Sequence, residues 1–511
     1  MRALYKGRKS LLIVLLLLIW IQTLFLVVNY APQSWQDFVR RGFELENEIL
    51  LTFRDGSTRG YRISVKTKNP EPLFEDLRNL SNLWYSKSSA NFTEFCQEVR
   101  LRNKADWVSR RLREWNETDE VFRLADDTST YFVQLGDTTC LKHGTNLTSL
   151  RLLEASSNAS QKLACPCVAG WHGQHCSIPS SVFHSNLPKR FVPTLRPKPR
   201  RIVQAFPFNY EFEMLEARFN EIGRFVDVFM ILESNYSAYG TPKALHLLDR
   251  LKQGEYGHMA HKILHVFLGY FPPKAHSNGW IEDDLLRDHI ATHGVVHQLK
   301  GYKHDDIFFM TDADELPRWE NLLFLKLHDG YPIPIGIYLQ KNTYGFFWSG
   351  KQTHVMAVVT MGFLMHVFEK HAIWIRSAPA HVQKQASAVS IYLKTGGLVY
   401  PWSFGTKVEP AGWHCSWCCL PDCIRNKLVS AQNGDFPRWG DYPEKTRIPY
   451  IRKLIANGTW FDNKSTMLKS SPRNPMYAPP HIICNPERYQ HILTNIYASE
   501  DANIQSPKEK T

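Results

Sequence analysis

The chain has 511 residues, which is too many for one minimal domain and fits one large domain or two of medium size. Apolar residues make up 43% of the chain, enough to bury a core, and the net charge is +12. Because no long basic helix and no nucleic-acid-binding motif accompanies this charge, we expect a solvated basic protein and exclude nucleic acid as a partner. Nothing in the sequence indicates an oligomeric state.

An apolar segment near the N-terminus predicts a membrane anchor. Leu11–Val28 contains only Gln22 and Thr23 as polar residues and is longer than the core of a cleaved signal peptide. Four basic residues precede it, so the positive-inside rule places residues 1–10 in the cytosol and the chain from residue 29 in a lumen. The sequence therefore predicts a single-pass type II membrane protein. The less favoured alternative is an apolar segment of a soluble protein.

Cysteines and glycosylation sequons agree with an oxidising lumen. All ten cysteines follow the apolar segment, as expected where disulfides form. The N-x-S/T sequons also follow it, at Asn79, Asn91, Asn116, Asn146, Asn158, Asn235, Asn457 and Asn463.

The region before the main domain divides into three predicted parts. Residues 29–135 are polar and predict a luminal stem, and residues 186–201 are basic and Pro-rich and predict a linker. Between them, residues 136–185 carry Cys165, Cys167 and Cys176 at the spacing of the closing half of an EGF-like module. We interpret this part as a truncated EGF-like module held by disulfides, with zinc binding as the alternative.

Residues 202–495 predict an α/β domain with a mostly parallel sheet, and residues 496–511 a polar tail. Apolar runs predict strands at 201–206, 226–232, 263–268 and 306–310, and helical periodicity predicts helices at 210–222 and 280–299. Ligands of such sheets bind at the carboxyl ends of the strands, so we look for the chemistry there.

An acidic motif at the end of the last of these strands predicts a site for a metal and a diphosphate. Asp312 and Asp314 are two apart, so in extended chain they share a side and can meet one divalent cation. That cation would bridge the diphosphate and offset the charge on a leaving UDP. Glu315 completes the motif. Arg287, on the preceding helix, could reach the diphosphate, or it could be a structural arginine.

His414 is the candidate third metal ligand. It lies among small and apolar residues in the segment 411–418, about 100 positions after the acidic motif. A neutral imidazole at this point could complete the metal shell. The alternative is a buried histidine bonded to the backbone.

Three acids are candidates for the general base that an inverting transfer needs. Asp435 and Asp441 lie in a loop rich in turn residues and aromatics, and Glu233 ends a predicted strand. We favour Asp435 because it follows a flexible Asn-Gly pair; the alternative for each acid is a turn cap. The aromatic run 344–348 predicts either a wall for the acceptor sugar or part of the core.

Several motifs together resemble the bisecting N-acetylglucosaminyltransferase family (N-acetylglucosaminyltransferase III). The resemblance covers roughly residues 160–490. It rests on Gly170-Trp-His-Gly, Glu233-Ser-Asn-x-x-Ala-Tyr-Gly, Asp312-Ala-Asp-Glu, Tyr344-Gly-Phe-Phe-Trp, Ala411-Gly-Trp-His-Cys-Ser-Trp-Cys, the run from Lys427 to Tyr442, and Met476-Tyr-Ala-Pro.

The resemblance implies a GT-A type nucleotide-sugar fold, UDP-GlcNAc as donor and Mn²⁺ as the usual metal. It implies the β-linked core mannose of an N-linked glycan as acceptor at its 4-hydroxyl, inversion at the donor carbon, and a Golgi membrane location. Asp312 and Asp314 match the family's acidic motif, and Thr311 departs from it. Cys419 and Cys423 are additional to the family's Cys-x-x-Cys; they could form an extra disulfide, and they leave the pairing of the cysteines open. The alternatives are a Golgi transferase with another donor or acceptor, a luminal glycosidase with paired carboxylates, and an adhesion protein.

Overall fold

The computed structural model describes residues 92–103, 115, 121–135, 137–156, 164–430 and 437–498. The predicted tail at 1–10, the predicted anchor at 11–28, most of the predicted stem, and Asp435 lie outside these residues. Within the described ranges, no helix is long and apolar enough to cross a bilayer.

The strands of the described part are numbered here in chain order. They are β1 (Phe122–Arg123), β2 (Phe132–Leu135), β3 (Thr138–Leu141), β4 (Trp171–His172), β5 (Ile178–Pro179), β6 (Thr194–Leu195), β7 (Ile202–Pro207), β8 (Val228–Ser234), β9 (Ile263–Leu268), β10 (Leu299–Lys300), β11 (Ile307–Met310), β12 (Glu315–Pro317), β13 (His328–Asp329), β14 (Ile333–Thr343), β15 (Gly345–Ser349), β16 (Thr353–Thr360), β17 (Val399–Phe404), β18 (Gly412–Ser416) and β19 (Leu468–Lys469).

The helices are numbered in the same way. They are α1 (Phe92–Asn103), α2 (Leu147–Ser156), α3 (Ser180–Phe183), α4 (Phe212–Ile222), α5 (His246–Lys252), α6 (Trp280–His289), α7 (Trp319–Leu327), α8 (Met361–His366), α9 (Ala378–Lys384), α10 (Ala386–Lys394), α11 (Pro421–Ser430), α12 (Ile448–Asn457), α13 (Pro480–Ile483) and α14 (Gln490–Leu493). Short 3₁₀ turns occur at Ala260–Lys262, Pro273–His276, Ala372–Ser377 and Trp439–Asp441.

The predicted strands and helices of the first half of the domain are confirmed, with one difference. β7, β8 and β11 match the apolar runs, and their residues are buried, apart from the last residue of β7, because helices cover both faces of the sheet. The helix predicted at 280–299 has two parts: α6 ends at His289, and a π-helix follows from Ile290 to Gln298.

One large sheet of eleven strands organises the described part of the chain. Its main order is β12-β18-β14-β16-β11-β7-β8-β9, with β15 and β17 paired to β14, and β19 paired to β15. β11, β7, β8 and β9 run parallel, whereas β16 is antiparallel to both of its neighbours, β11 and β14.

The prediction of a mostly parallel sheet is therefore wrong, and the sheet is mixed. Five of its strand pairs are parallel and five are antiparallel. The physical reason lies in the connections. The chain returns from β14 to β15 and β16 through short turns, and strands joined by short turns pair antiparallel, whereas parallel strands need a long crossover.

The described parts of the predicted stem pack on the main domain. β1 pairs in parallel with β10, and Cys96 in α1 forms a disulfide with Cys484. The β2–β3 hairpin crosses the boundary predicted between residues 135 and 136. α1 and β1 are thus tied to the main domain.

The cysteine-rich part is held by two disulfides, Cys140–Cys165 and Cys167–Cys176, and by the β4–β5 hairpin. Because these four thiols are paired with each other, the zinc alternative does not apply. The predicted linker at 186–201 is also tied down, because β6 pairs with β13 and Arg196 forms ion pairs with Asp305 and Asp329.

Candidate active site

A cleft of about 500 Å³ lies at the carboxyl ends of the parallel strands. Its walls come from the ends of β7 and β8, the loop after β11, helix α6, and the turn after β18. The position agrees with the rule that ligands of such sheets bind beyond the carboxyl ends of the strands. Of the predicted site residues, the cleft brings together Asp312, Asp314, Arg287 and His414.

The acidic loop between β11 and β12 is shaped by the fully buried Arg218 of α4. Its guanidinium donates to the carbonyl oxygens of Asp312, Ala313 and Glu315 at 2.8, 3.1 and 2.7 Å, and to the Thr311 hydroxyl at 3.0 Å. A planar fork of five donors suits several acceptors on one tight turn. Arg218 therefore fixes the backbone from which both predicted metal ligands project.

Asp312 is ion-paired on both carboxylate oxygens. Arg287 donates to Oδ1 at 2.6 Å, and Arg376 donates to Oδ2 at 2.9 Å. Burial by itself raises the pKa of Asp312, but the two arginines outweigh it and hold that pKa well below its usual range. Arg287 is held in turn by Asp283, its neighbour one turn back on α6.

Glu315 does not face the cleft, although it belongs to the predicted motif. It is 1% exposed, accepts two hydrogen bonds from Arg376, and accepts one from the backbone N–H of Asp312. These contacts bend the loop back on itself. We therefore assign Glu315 to holding the loop in shape rather than to contact with a cofactor.

Asp314 and His414 form the second pair of the cleft. β12 and β18 are antiparallel, with Glu315 opposite His414, and this register brings His414 Nε2 to 3.5 Å from Asp314 Oδ1. Burial raises the pKa of Asp314, but His414 and then Lys427 lower it below its usual range. Conversely, burial lowers the pKa of His414, and the nearby Asp314 raises it overall.

Asp314 and His414 fit a divalent cation in chemistry and in spacing. Carboxylate oxygen and imidazole nitrogen are both ligands of transition metals such as manganese. Two ligand atoms bound at right angles, each about 2.1 Å from a cation, lie about 3 Å apart, close to the observed 3.5 Å. The described residues hold no group of three or more His, Cys, Asp or Glu side chains placed for a metal. The remaining ligands would come from the substrate and from water.

The three candidate bases lie in different places. Glu233 is fully buried, accepts hydrogen bonds from the first backbone N–H groups of α5, and contacts His265. It therefore caps a helix and does not reach the cleft. Asp441 lies at the rim, about half exposed, and pairs with Arg438 at 3.2 Å. Asp435 lies outside the described residues.

The aromatic run 344–348 belongs mainly to the core, which decides between the two predicted alternatives. Tyr344, Phe346 and Phe347 are at most 5% exposed, and the Tyr344 hydroxyl donates to the carbonyl of Thr459. Different aromatic side chains line the cleft: Trp280, Trp417, Trp439 and Trp460.

Two disulfides close the segment that presents His414 and Trp417. Cys415–Cys418 spans the turn, and Cys419–Cys423 joins it to the start of α11. The two cysteines that are additional to the family's Cys-x-x-Cys are therefore bonded to each other, which decides the pairing that the sequence left open.

Comparison with known proteins decides the family. The family model described as glycosyltransferase family 17 matches residues 180–373. A mouse protein named beta-1,4-mannosyl-glycoprotein 4-beta-N-acetylglucosaminyltransferase is 39% identical over 369 residues, which is 71% of this chain and 67% of the relative. The chain belongs to glycosyltransferase family 17. The resemblance predicted from the motifs is thereby confirmed.

Rat and human proteins of the same name give a similar result. The rat protein is 41% identical over 67% of this chain, and the human protein is 42% identical over 65% of it. The alignments span 63% and 62% of those two relatives, somewhat less than two thirds of their length.

Sequence reasoning missed several residues of this family-17 site. Arg218 could have been found, because it lies at helical spacing on the apolar stripe of α4 with Met214, Leu215 and Ile222, where an unexplained charge is unusual. No comparable feature of the sequence marked Arg376, Lys243 or Glu282. Glu282 in particular looks like an ordinary acid in the first turn of a helix.

Proposed function

We propose that the chain transfers GlcNAc from UDP-GlcNAc to the 4-hydroxyl of the β-linked core mannose of N-glycans, with inversion, and so forms bisecting GlcNAc. One observation carries this proposal. Arginines hold the acidic loop at the carboxyl end of a buried strand, and a histidine lies beside this loop. The chain that carries this loop is 39–42% identical to transferases named for this reaction.

Asp314 and His414 are the residues that we assign to a divalent cation, Mn²⁺ in this proposal. The cation would offset the charge on the diphosphate of the leaving UDP. Asp312 contributes differently, because both of its oxygens already bind arginines. Asp312 orients Arg287, whose guanidinium lines the cleft. In this proposal the guanidinium lies near the diphosphate of the donor.

The acceptor would lie against the tryptophans of the cleft, because flat apolar side chains suit the faces of sugar rings. Trp417, Trp439 and Trp460 line the wall on the side of β18 and of the loop that ends in Asp441. In this proposal the acceptor lies near Trp439, and we keep Asp435 as the proposed general base and Asp441 as the second candidate. Glu233 is no longer a candidate because its carboxylate is enclosed.

The topology and location follow the same proposal. We infer a GT-A type catalytic domain that lies in the Golgi lumen, preceded by the truncated EGF-like module, and an anchor at 11–28 that makes the chain a type II membrane protein. The five disulfides support an oxidising compartment.

A donor screen with the full-length chain tests the function. UDP-GlcNAc should be the preferred nucleotide-sugar, N-glycans with the core mannose should accept GlcNAc, and linkage analysis should find β1,4 attachment to that mannose. EDTA should stop the reaction and Mn²⁺ should restore it. If the enzyme prefers another donor or forms another linkage, it catalyses a different glycosyltransferase reaction. Release of sugar without any nucleotide-sugar would indicate the glycosidase alternative.

A further inference from the structure

An acid and an amine whose buried polar atoms make no hydrogen bond of normal geometry within the described residues line the wall of the cleft, apart from the acidic loop, and Ser234 lies beside the acid. Glu282 lies in the first turn of α6 and is 1% exposed. Both of its carboxylate oxygens are buried and make no hydrogen bond of normal geometry within the described residues. Lys243 lies between β8 and α5, and its Nζ is buried in the same part of the structure without an acceptor.

Such groups are unfavourable in a folded protein unless something satisfies them. A buried donor or acceptor without a partner loses its hydration and gains nothing in return. Burial and the neighbouring Asp283 raise the pKa of Glu282 to about 7, whereas Ser234 and Lys243 lower it. Burial also lowers the pKa of Lys243. The carboxylates of Glu233, Glu211 and Glu282 raise this pKa, but by less than burial lowers it. Because both side chains line the cleft, a ligand is the natural partner.

The position of this pair indicates which part of a ligand it meets. The acidic loop follows β11, and Ser234, beside Glu282, ends β8. One strand, β7, lies between β11 and β8. Adjacent strands are about 4.8 Å apart, so the two ends are separated by roughly 10 Å. A nucleoside diphosphate with its diphosphate at the acidic loop can span this separation through its ribose and place its base beside Glu282 and Lys243.

We propose that Glu282 and Lys243 form the nucleobase subsite and read a base that presents a ring N–H next to a carbonyl, as uracil does. The Glu282 carboxylate accepts from the ring N–H, and the Lys243 ammonium donates to the adjacent 4-carbonyl. In the same orientation, cytosine presents an acceptor in place of that N–H and an amine in place of the 4-carbonyl, so it leaves both side chains unsatisfied. The inference rests on the proposed function, because it takes the donor diphosphate to lie at the acidic loop.

The test compares binding of UDP, CDP and GDP, each with Mn²⁺, to the full-length wild-type chain and to Glu282→Gln and Lys243→Met. Calorimetry without acceptor gives the affinities, and uridine alone gives the contribution of the base without metal or phosphate. Glu444→Gln and Lys407→Gln, both exposed, are the matched controls. Thermal unfolding of each variant verifies that it folds.

We expect the wild type to bind UDP at least about tenfold more tightly than CDP. Lys243→Met should weaken the binding of both UDP and uridine by about tenfold or more. Glu282→Gln should lower the ratio of UDP to CDP affinity, because a glutamine amide can donate to cytosine where the carboxylate cannot. The two control variants should bind like the wild type.

Several results would overturn the inference. If both variants keep the affinity for UDP and the UDP-to-CDP ratio, the pair does not read the base, and the proposed transferase function still stands. If Glu282→Gln loses turnover but keeps UDP affinity and selectivity, Glu282 acts in the chemical step instead. Tighter binding of GDP than of UDP would mean that the pair reads guanine, which shares the N–H and carbonyl edge. A wild type that binds neither UDP nor uridine would overturn both this inference and the proposed donor.

Discussion

His414 Nε2 lies 3.5 Å from Asp314 Oδ1, across the antiparallel pairing of β12 with β18. The two residues are 100 positions apart in the chain, and they meet because the sheet places Glu315 opposite His414. Asp312, only two residues from Asp314, faces two arginines instead. The structure thus separates the two acids of one motif into different environments, and this difference can be tested.

The first prediction concerns the metal. Asp314→Asn and His414→Ala should each raise the half-saturating Mn²⁺ concentration by tenfold or more, because each removes a proposed ligand. Asp312→Asn should lower turnover with a smaller change in that concentration, since it disturbs Arg287 and Arg376. Initial rates titrated with Mn²⁺ measure both effects. An unchanged metal requirement in His414→Ala would show that this histidine is not a ligand.

The second prediction concerns Arg218. Arg218→Lys should destabilise the protein by about 3 kcal/mol, because a lysine cannot donate to four acceptors in one plane and leaves buried carbonyls unpaired. Activity should fall even in molecules that remain folded, since the acidic loop loses its support. Chemical denaturation and turnover measure the two effects, and Arg151→Lys, on the surface of α2, is the control. Equal stability of both variants would contradict the role given to Arg218.

The third prediction concerns the general base. Asp435→Asn should reduce turnover by roughly 10²–10⁴-fold, the usual range for general acid–base catalysis, and leave UDP-GlcNAc affinity nearly unchanged. Asp441→Asn should have a smaller effect, because its carboxylate is about half exposed and paired with Arg438. Turnover and donor binding must be measured on both variants. If the larger loss falls on Asp441→Asn, the assignment moves to that residue.

The fourth prediction concerns the disulfides. Cys96 and Cys484 are 388 positions apart, whereas Cys419 and Cys423 are four apart. A longer closed loop restricts the unfolded chain more, so replacing the first pair by serines should cost about 4 kcal/mol and replacing the second pair clearly less. Melting temperatures of the two double variants make the comparison. Similar melting temperatures would mean that α1 contributes little to the stability of the domain.

The fifth prediction concerns stability and pH. Glu282 has a pKa of about 7 in the folded protein, raised by burial and by Asp283 from an ordinary value of 4.5. The folded protein therefore binds this proton more tightly than the unfolded chain. The stabilisation from this proton is complete below pH 4.5 and is lost as the pH rises through 7.

Glu282→Gln mimics the protonated acid at every pH. It should be more stable than the wild type by up to about 3 kcal/mol at pH 8, and the difference should disappear near pH 4. Melting temperatures of the two proteins across this range measure the effect, with the exposed Glu444→Gln as control. A difference that does not change with pH would show that Glu282 titrates normally.

The sequence by itself determined β11, the strand that precedes the acidic motif, and the strands β7 and β8 beside it. β7, β8 and β11 are buried on both sides of the sheet, and such strands are continuous apolar runs that can be recognised locally. The acidic motif follows one of them directly, so the position of Asp312 and Asp314 at a carboxyl end was predictable.

Only the tertiary structure decided the direction of the remaining strands and the roles of the polar residues. β16 pairs with β14, which shortly precedes it in the chain, but it also pairs with the distant strand β11, and no local pattern encodes that second pairing. Glu233 and Glu315 were indistinguishable from cleft acids in the sequence, yet the first caps α5 and the second binds Arg376. Glu282 became a candidate only when its burial was known. Burial and pairing depend on which segments meet in space, and that depends on contacts across the whole fold rather than on neighbours in the chain.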